Sequence, residues 1–158
     1  MFPTKILLAV DGSGEATLAA RAAVELAGGT NSDLHVVHVV STVPELPYPR
    51  SSARERSEAL LEWKRFGGLK LLDERVRWIE EVLGRSIAAS HYREGRPEKE
   101  VIRLGKELDV GLIVSGGRRR AWFERIFGAG FSDNLSRRAH RPVLVVSEPG
   151  SLSSSVPR

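Results

Sequence analysis

Lys5-Ile6-Leu7-Leu8-Ala9-Val10-Asp11-Gly12-Ser13-Gly14 is the stretch from which the fold can be read. Ile6 to Val10 is a continuous apolar run, too short for a typical helix and without the alternation of a half-exposed strand. It therefore reads as a strand covered on both faces. Asp11-Gly12-Ser13-Gly14 ends the run in a turn, because glycine and short polar side chains favour a reversal over continued extension.

Outward from this strand, Glu15 to Ala27 is helical, with Ala16, Ala19, Ala20, Ala23 and Leu26 on one side and Gly28-Gly29 as the expected stop. Leu34 to Val40, rich in β-branched residues, is the second strand. Ser41 to Ser52 carries Pro44, Pro47 and Pro49 and reads as an irregular loop. Ala53 to Leu83 is helical in composition, with Leu60, Leu61, Trp63, Leu71, Leu72, Val76, Ile79 and Val82 as its apolar positions and a kink or break expected at Gly67-Gly68.

Ser86 to Arg93, of mixed polarity, is a third strand near an edge, and Glu94-Gly95-Arg96-Pro97 turns the chain into a helix over Glu98 to Leu108. Val110 to Ser115 is the fourth strand. Gly116-Gly117, an arginine run, a short helix over Ala121 to Phe127, the loop Gly128-Ala129-Gly130 and a helix from about Ser132 to Ala139 lead to a last strand over Pro142 to Val146. Residues 1–148 read as one domain, and 149–158 have the composition of a disordered tail.

Strands alternating with helices imply right-handed crossovers and a mostly parallel α/β sheet with helices on both faces. Ligands of such sheets bind beyond the carboxyl ends of strands, where the strand order reverses. Two strand ends combine glycine with polar residues: Asp11-Gly12-Ser13 after the first and Ser115-Gly116-Gly117 after the fourth.

Composition narrows the chemistry. The 158 residues are 41% hydrophobic and 28% charged, as expected of one globular domain. The absence of cysteine excludes disulfides, thiolate metal sites and a cysteine nucleophile. Ile6 to Val10 is too brief for a signal sequence and no apolar run approaches a membrane span, so the expected location is cytoplasmic, with no membrane partner. The net charge of +4 is concentrated in Arg118, Arg119, Arg120, Arg125, Arg137, Arg138 and Arg141, which face only Glu124 and Asp133, a local field suited to an anionic ligand.

Trp122, Phe123, Phe127 and Phe131 recur in this basic segment at helical spacing and read as core or interface residues, so nucleic acid is not the expected partner. His35 and His38 lie three apart on a strand, hence on opposite faces, and His91 and His140 stand isolated; no metal site is expected. No histidine or second carboxylate is tied by spacing to Asp11 or Ser13, so no catalytic residues are assigned, and slow hydrolysis of a bound nucleotide is the one enzymatic alternative.

Lys5 to Ser13, followed in order by Glu94-Gly95-Arg96-Pro97, Val110 to Val114 and Arg141 to Val146, resembles the universal stress protein family over nearly the whole chain. The resemblance implies a Rossmann-like, adenine nucleotide alpha hydrolase-like fold with a five-stranded parallel sheet in the order 3-2-1-4-5. It also implies a stress-response role and a homodimer formed through the last strand, Pro142, Val143, Leu144, Val145 and Val146. Many members bind ATP through a motif of Gly, two residues, Gly, nine residues, then Gly followed by Ser or Thr. Aligned on this chain, Gly116 takes the first position, Arg119 replaces the second glycine, and Ala129-Gly130 stands where Gly-Ser is expected.

By the same carry-over, Asp11 sits beside the base with Val39 packed against it, Ala9 and Ser115 line the floor and the ribose side, and Ser132 offers a hydroxyl at a helix start. Magnesium would enter only with a nucleotide. Asp11 is equally a helix-capping residue, and both roles are compatible. The alternative is a dimeric interaction module that binds no nucleotide because side chains such as Arg119 close the crevice.

Overall fold

The computed structural model describes residues 2–12, 14–42, 53–116 and 139–146. The elements are β1 (Lys5–Ala9), α1 (Gly14–Thr30), β2 (Asp33–Ser41), α2 (Ala53–Glu81), β3 (Ala89–Gly95), α3 (Pro97–Glu107), β4 (Leu112–Gly116) and β5 (Val143–Val146). All strand pairs are parallel and the order is β3-β2-β1-β4-β5. Ser13, the proline-rich residues 43–52, the arginine run with its two expected helices (117–138) and the tail 149–158 lie outside the described residues.

Strand alternation divides the core in two. Ile6, Leu8, Leu34, Val36 and Val114 point to the face covered by α1 and α2, where they meet Ala19, Ala20, Ala23, Leu72 and Ile79. Leu7, Val37, Val39 and Ile113 point the other way, onto Val101 and Leu104 of α3. Both faces of β1 are therefore buried, which is why its sequence is apolar without alternation.

α1 does not stop at Gly28-Gly29. It runs to Thr30 and closes at Asn31, which has φ 53, with the Ser32 N–H donating to the Ala27 carbonyl at 2.9 Å and the Asn31 N–H to the Gly28 carbonyl at 3.4 Å. This pair of bonds satisfies the last carbonyls, and asparagine supplies the left-handed residue. α3 ends in the same way at Asp109, φ 54, with Val110 and Asp109 donating to Gly105 and Lys106.

Nor does α2 break at Gly67-Gly68; it is continuous over 29 residues. Gly68 is buried against the sheet, where an added Cβ would collide with Val40 and press on His38 and Tyr92 at 3.3 Å. The glycine serves close approach of helix to sheet, not a bend. Of the apolar positions expected of this helix, Leu72 and Ile79 are buried, whereas Leu60, Trp63 and Val82 are exposed.

β3 lies further along the chain than the sequence suggests, because Glu94 and Gly95 continue the ladder opposite Val40 and Ser41. Gly95, at φ 142, then turns the chain. His91 is not isolated: its Nε2 is 3.1 Å from His35 Nδ1, and the two rings stack with centroids 5.4 Å apart. Arg141 precedes β5, at the amino end of the sheet, and is paired with Asp109 at 2.9 Å, so it stands apart from the carboxyl-end crevice. No helix among the described residues is long and apolar enough to cross a membrane.

Candidate functional site

β1 stands between β2 and β4, and α1 and α3 cover opposite faces, so the switch of connection direction falls at the carboxyl ends of β1 and β4. Ala9 ends β1, half-buried and packed with the α3-side core; Asp11, also half-buried, stands two residues beyond. Ala9 is in register with Val37, and the Val10 N–H donates to the Val37 carbonyl at 2.9 Å, so pairing persists to the edge of the turn. Val39 lies two residues further along β2 on the face of Val37, buried in the same cluster. Ser115 and Gly116 end β4 and are buried. The Ser115 hydroxyl makes a long 3.5 Å contact with the Gly116 carbonyl.

Five of the sequence-assigned residues, Ala9, Asp11, Val39, Ser115 and Gly116, thus gather at the carboxyl ends of three adjacent strands. Arg119, Gly130 and Ser132 lie outside the described residues. The described part offers an apolar floor from Ala9 and Val39 with a carboxylate at its rim. Such an arrangement suits a flat apolar body carrying N–H or hydroxyl donors.

Sequence reasoning missed His38, which it weighed only as a metal ligand. Its Nδ1–H donates to the Val10 carbonyl at 2.8 Å, holding the backbone immediately before Asp11. A carbonyl acceptor fixes the proton on Nδ1. α2 supports the same turn from behind: a Cβ on Gly12 would lie 3.4 Å from Leu71, and Arg75 donates to the Thr17 hydroxyl at 3.0 Å. The available signal was a histidine on the fully covered face of β2, between Val36 and Val40, where a polar ring needs a buried partner.

At the carboxyl end of β3, Arg65 grips Glu94 with two bonds of 2.6 and 3.0 Å, and the Tyr92 hydroxyl donates to the same carboxylate at 3.0 Å. The Arg65 guanidinium holds the Glu94 carboxyl below its usual range. Burial, with the bond to Glu94, pushes the Tyr92 phenol up to about 12. Both Glu94 carboxylate oxygens are engaged, and the group ties β3 to α2. A recess of about 350 Å³ beside Arg85, Ser86 and Ile87 opens at the amino end of β2, away from the crevice. Among the described residues no group of three or more His, Asp or Glu could hold a metal ion.

A parallel sheet in this order, with its crevice between β1 and β4, defines an α/β protein of the adenine nucleotide alpha hydrolase-like fold. The chain belongs to the universal stress protein family, whose model matches residues 3–147. It is 28% identical to a universal stress protein of Methanocaldococcus jannaschii over 92% of this chain and 82% of the relative. To YxiE of Bacillus subtilis it is 30% identical over 90% of this chain and 97% of the relative. Its fold matches the universal stress protein UspA of Lactobacillus plantarum with a TM-score of 0.69 at 20% identity, covering 92% of this chain and 99% of the other.

Two further solved structures of the fold contain nucleotides. A universal stress protein in complex with cAMP matches with a TM-score of 0.60 at 19% identity, covering 91% and 97% of the two chains. A family member from Arabidopsis thaliana with AMP bound matches with a TM-score of 0.57 at 18% identity, covering 98% and 99%.

Proposed function

We propose that this chain is a cytoplasmic stress-response regulatory domain that binds an adenine nucleotide, ATP among them, in the crevice between β1 and β4. The observation that carries the reading is the convergence of Ala9, Asp11 and Val39 with Ser115 and Gly116 at three neighbouring strand ends. The base rests on Ala9 and Val39 with Asp11 at its edge, and the ribose runs towards Ser115. Phosphates extend beyond Gly116 into the segment holding Arg119, Gly130 and Ser132, where arginine forks replace part of the glycine-rich motif. The cAMP and AMP held by two proteins of the same fold support an adenylate ligand.

The same reading makes the protein a homodimer through β5, the terminal strand of the sheet, whose Leu144 is exposed. Thermal unfolding with ATP, ADP, AMP and cAMP tests the site. A ligand at a hundred times its dissociation constant stabilises the native state by about 2.7 kcal/mol. Asp11→Ala should reduce that shift. Unchanged melting at millimolar concentrations of all four would refute nucleotide binding and favour the interaction module instead.

A further inference from the structure

His35 and His91 face each other across β2 and β3, on the side of the sheet covered by α3 and near the amino ends of both strands, away from the crevice. Their facing nitrogens are 3.1 Å apart, their centroids 5.4 Å, and their planes 19° from parallel. The offset is so large that the rings meet through those nitrogens rather than through their faces. One of the two nitrogens therefore holds a proton and the other a lone pair directed at it.

Such a bond tolerates one added proton but not two. A neutral pair keeps one lone pair outside the bond, so a first proton from water is taken there and the bond survives, now assisted by charge. His91, the less buried ring, takes it, with its Nε2–H donating to His35 Nδ1. The accepting lone pair is then the only one left. A second proton sets N–H against N–H and two positive rings in contact.

We propose that this pair is an acid-operated clasp, which frees β3 from the α3 side of the sheet when it takes its second proton. Among the described residues β3 is a terminal strand and pairs with β2 alone. Charged groups reach the pair from the neighbouring elements: Lys5 of β1, Asp33 of β2, Arg93 of β3 and Glu107 of α3. Glu107 is already engaged by Arg93 at 2.6 Å, so it does little to offset a doubly charged pair. The other side of β3 stays fastened, because Arg65 keeps the Glu94 carboxyl below its usual range and that tether remains ionised in acid. Release is therefore one-sided.

Burial holds both rings below the ordinary value of about 6.5, and coupled groups titrate more than about one unit apart, so the second step falls below about pH 5.5. The opened strand, its histidines released, binds more protons than the closed one, and opening grows as the pH falls.

Amide hydrogen exchange and nitrogen-15 titration of the imidazoles, both on the full chain from about pH 7.5 to about 4.5, test the clasp. The two rings should titrate in separate steps. Protection factors of the β3 amides should lie below those of β1 and fall about tenfold for each pH unit below about 6. His91→Gln should flatten that fall, because an amide can turn either its donor or its acceptor towards His35. His140→Gln, at an exposed histidine, should leave it unchanged. Rings that titrate together would overturn the proposal, as would β3 amides exchanging no faster than those of β1 at every pH, which would mean that the pair opens only with the whole chain. An undiminished fall in His91→Gln would overturn it as well.

Discussion

Gly67 and Gly68 are adjacent on α2 and should respond to alanine with opposite signs. Gly67 is exposed, and nothing lies within 4 Å of a Cβ built there. Gly67→Ala gains helix propensity and should stabilise by roughly 0.5–1 kcal/mol. Gly68→Ala has the same propensity gain, but its methyl meets Val40, which is 4% exposed and fixed in β2 between two paired strands. Relief requires lifting α2 from the sheet, and overpacking of this kind costs about 1–3 kcal/mol, more than the propensity gain at its upper end.

The two variants should therefore differ by about 1–3 kcal/mol, the propensity term being common to both. For a chain of this size that is a difference of roughly 2–12 °C in melting temperature, with Gly67→Ala above the wild type and Gly68→Ala below it. Urea unfolding with an unchanged m-value is the assay. Equal stabilisation by both substitutions would refute the depth at which α2 is seated. Lifting α2 also loosens His38 and the turn before Asp11, so Gly68→Ala, unlike Gly67→Ala, should weaken nucleotide-dependent stabilisation.

Three further outcomes are expected. Burial lowers the pKa of both His35 and His91, helped by Lys5 on the first and by His35 and Arg93 on the second, and opposed by Asp33 and Glu107. Folded pKa values depressed below the unfolded 6.5 mean that the unfolded chain binds more protons, so stability is present above about pH 6.5 and falls with pH below it. Urea titrations across that range should show the loss, and His91→Gln should flatten it. His38→Phe removes the donor to the Val10 carbonyl and should cost about 1–3 kcal/mol by urea unfolding, with a further loss of nucleotide affinity. Asn31→Gly, at φ 53, should raise the melting temperature slightly, since glycine accepts the left-handed cap without strain, whereas Asn31→Ala should lower it.

The parallel sheet was legible because β1, β2 and β4 are apolar on both faces, a property that follows from local sequence once helices cover the sheet. Helix ends were harder to read. Glycine is the commoner stop signal, yet Asn31 and Asp109 take the left-handed positions while Gly28 and Gly29 stay helical. The continuity of α2 was hidden for a related reason: Gly68 answers to Val40 and Tyr92, which are distant in sequence. His91 looked solitary because its partner is 56 residues away across a strand pair.

The crevice divides along the same line between local and non-local. Asp11 and Gly116 end apolar strands, so their place at the rim follows from the strands themselves. What holds Asp11 in place does not: the preceding carbonyl is fixed by His38 from β2, and the following glycine is backed by Leu71 from α2. α2 is thus part of the site's foundation although none of its residues was assigned to the crevice. A ligand that orders the β1 turn must act on the packing of α2, and a substitution that unseats α2 must act on the ligand by an equal free energy. The paired glycine variants carry that equality into measurement: the nucleotide affinity lost in Gly68→Ala should match the shortfall in ligand-induced stabilisation, while Gly67→Ala keeps both at wild-type level.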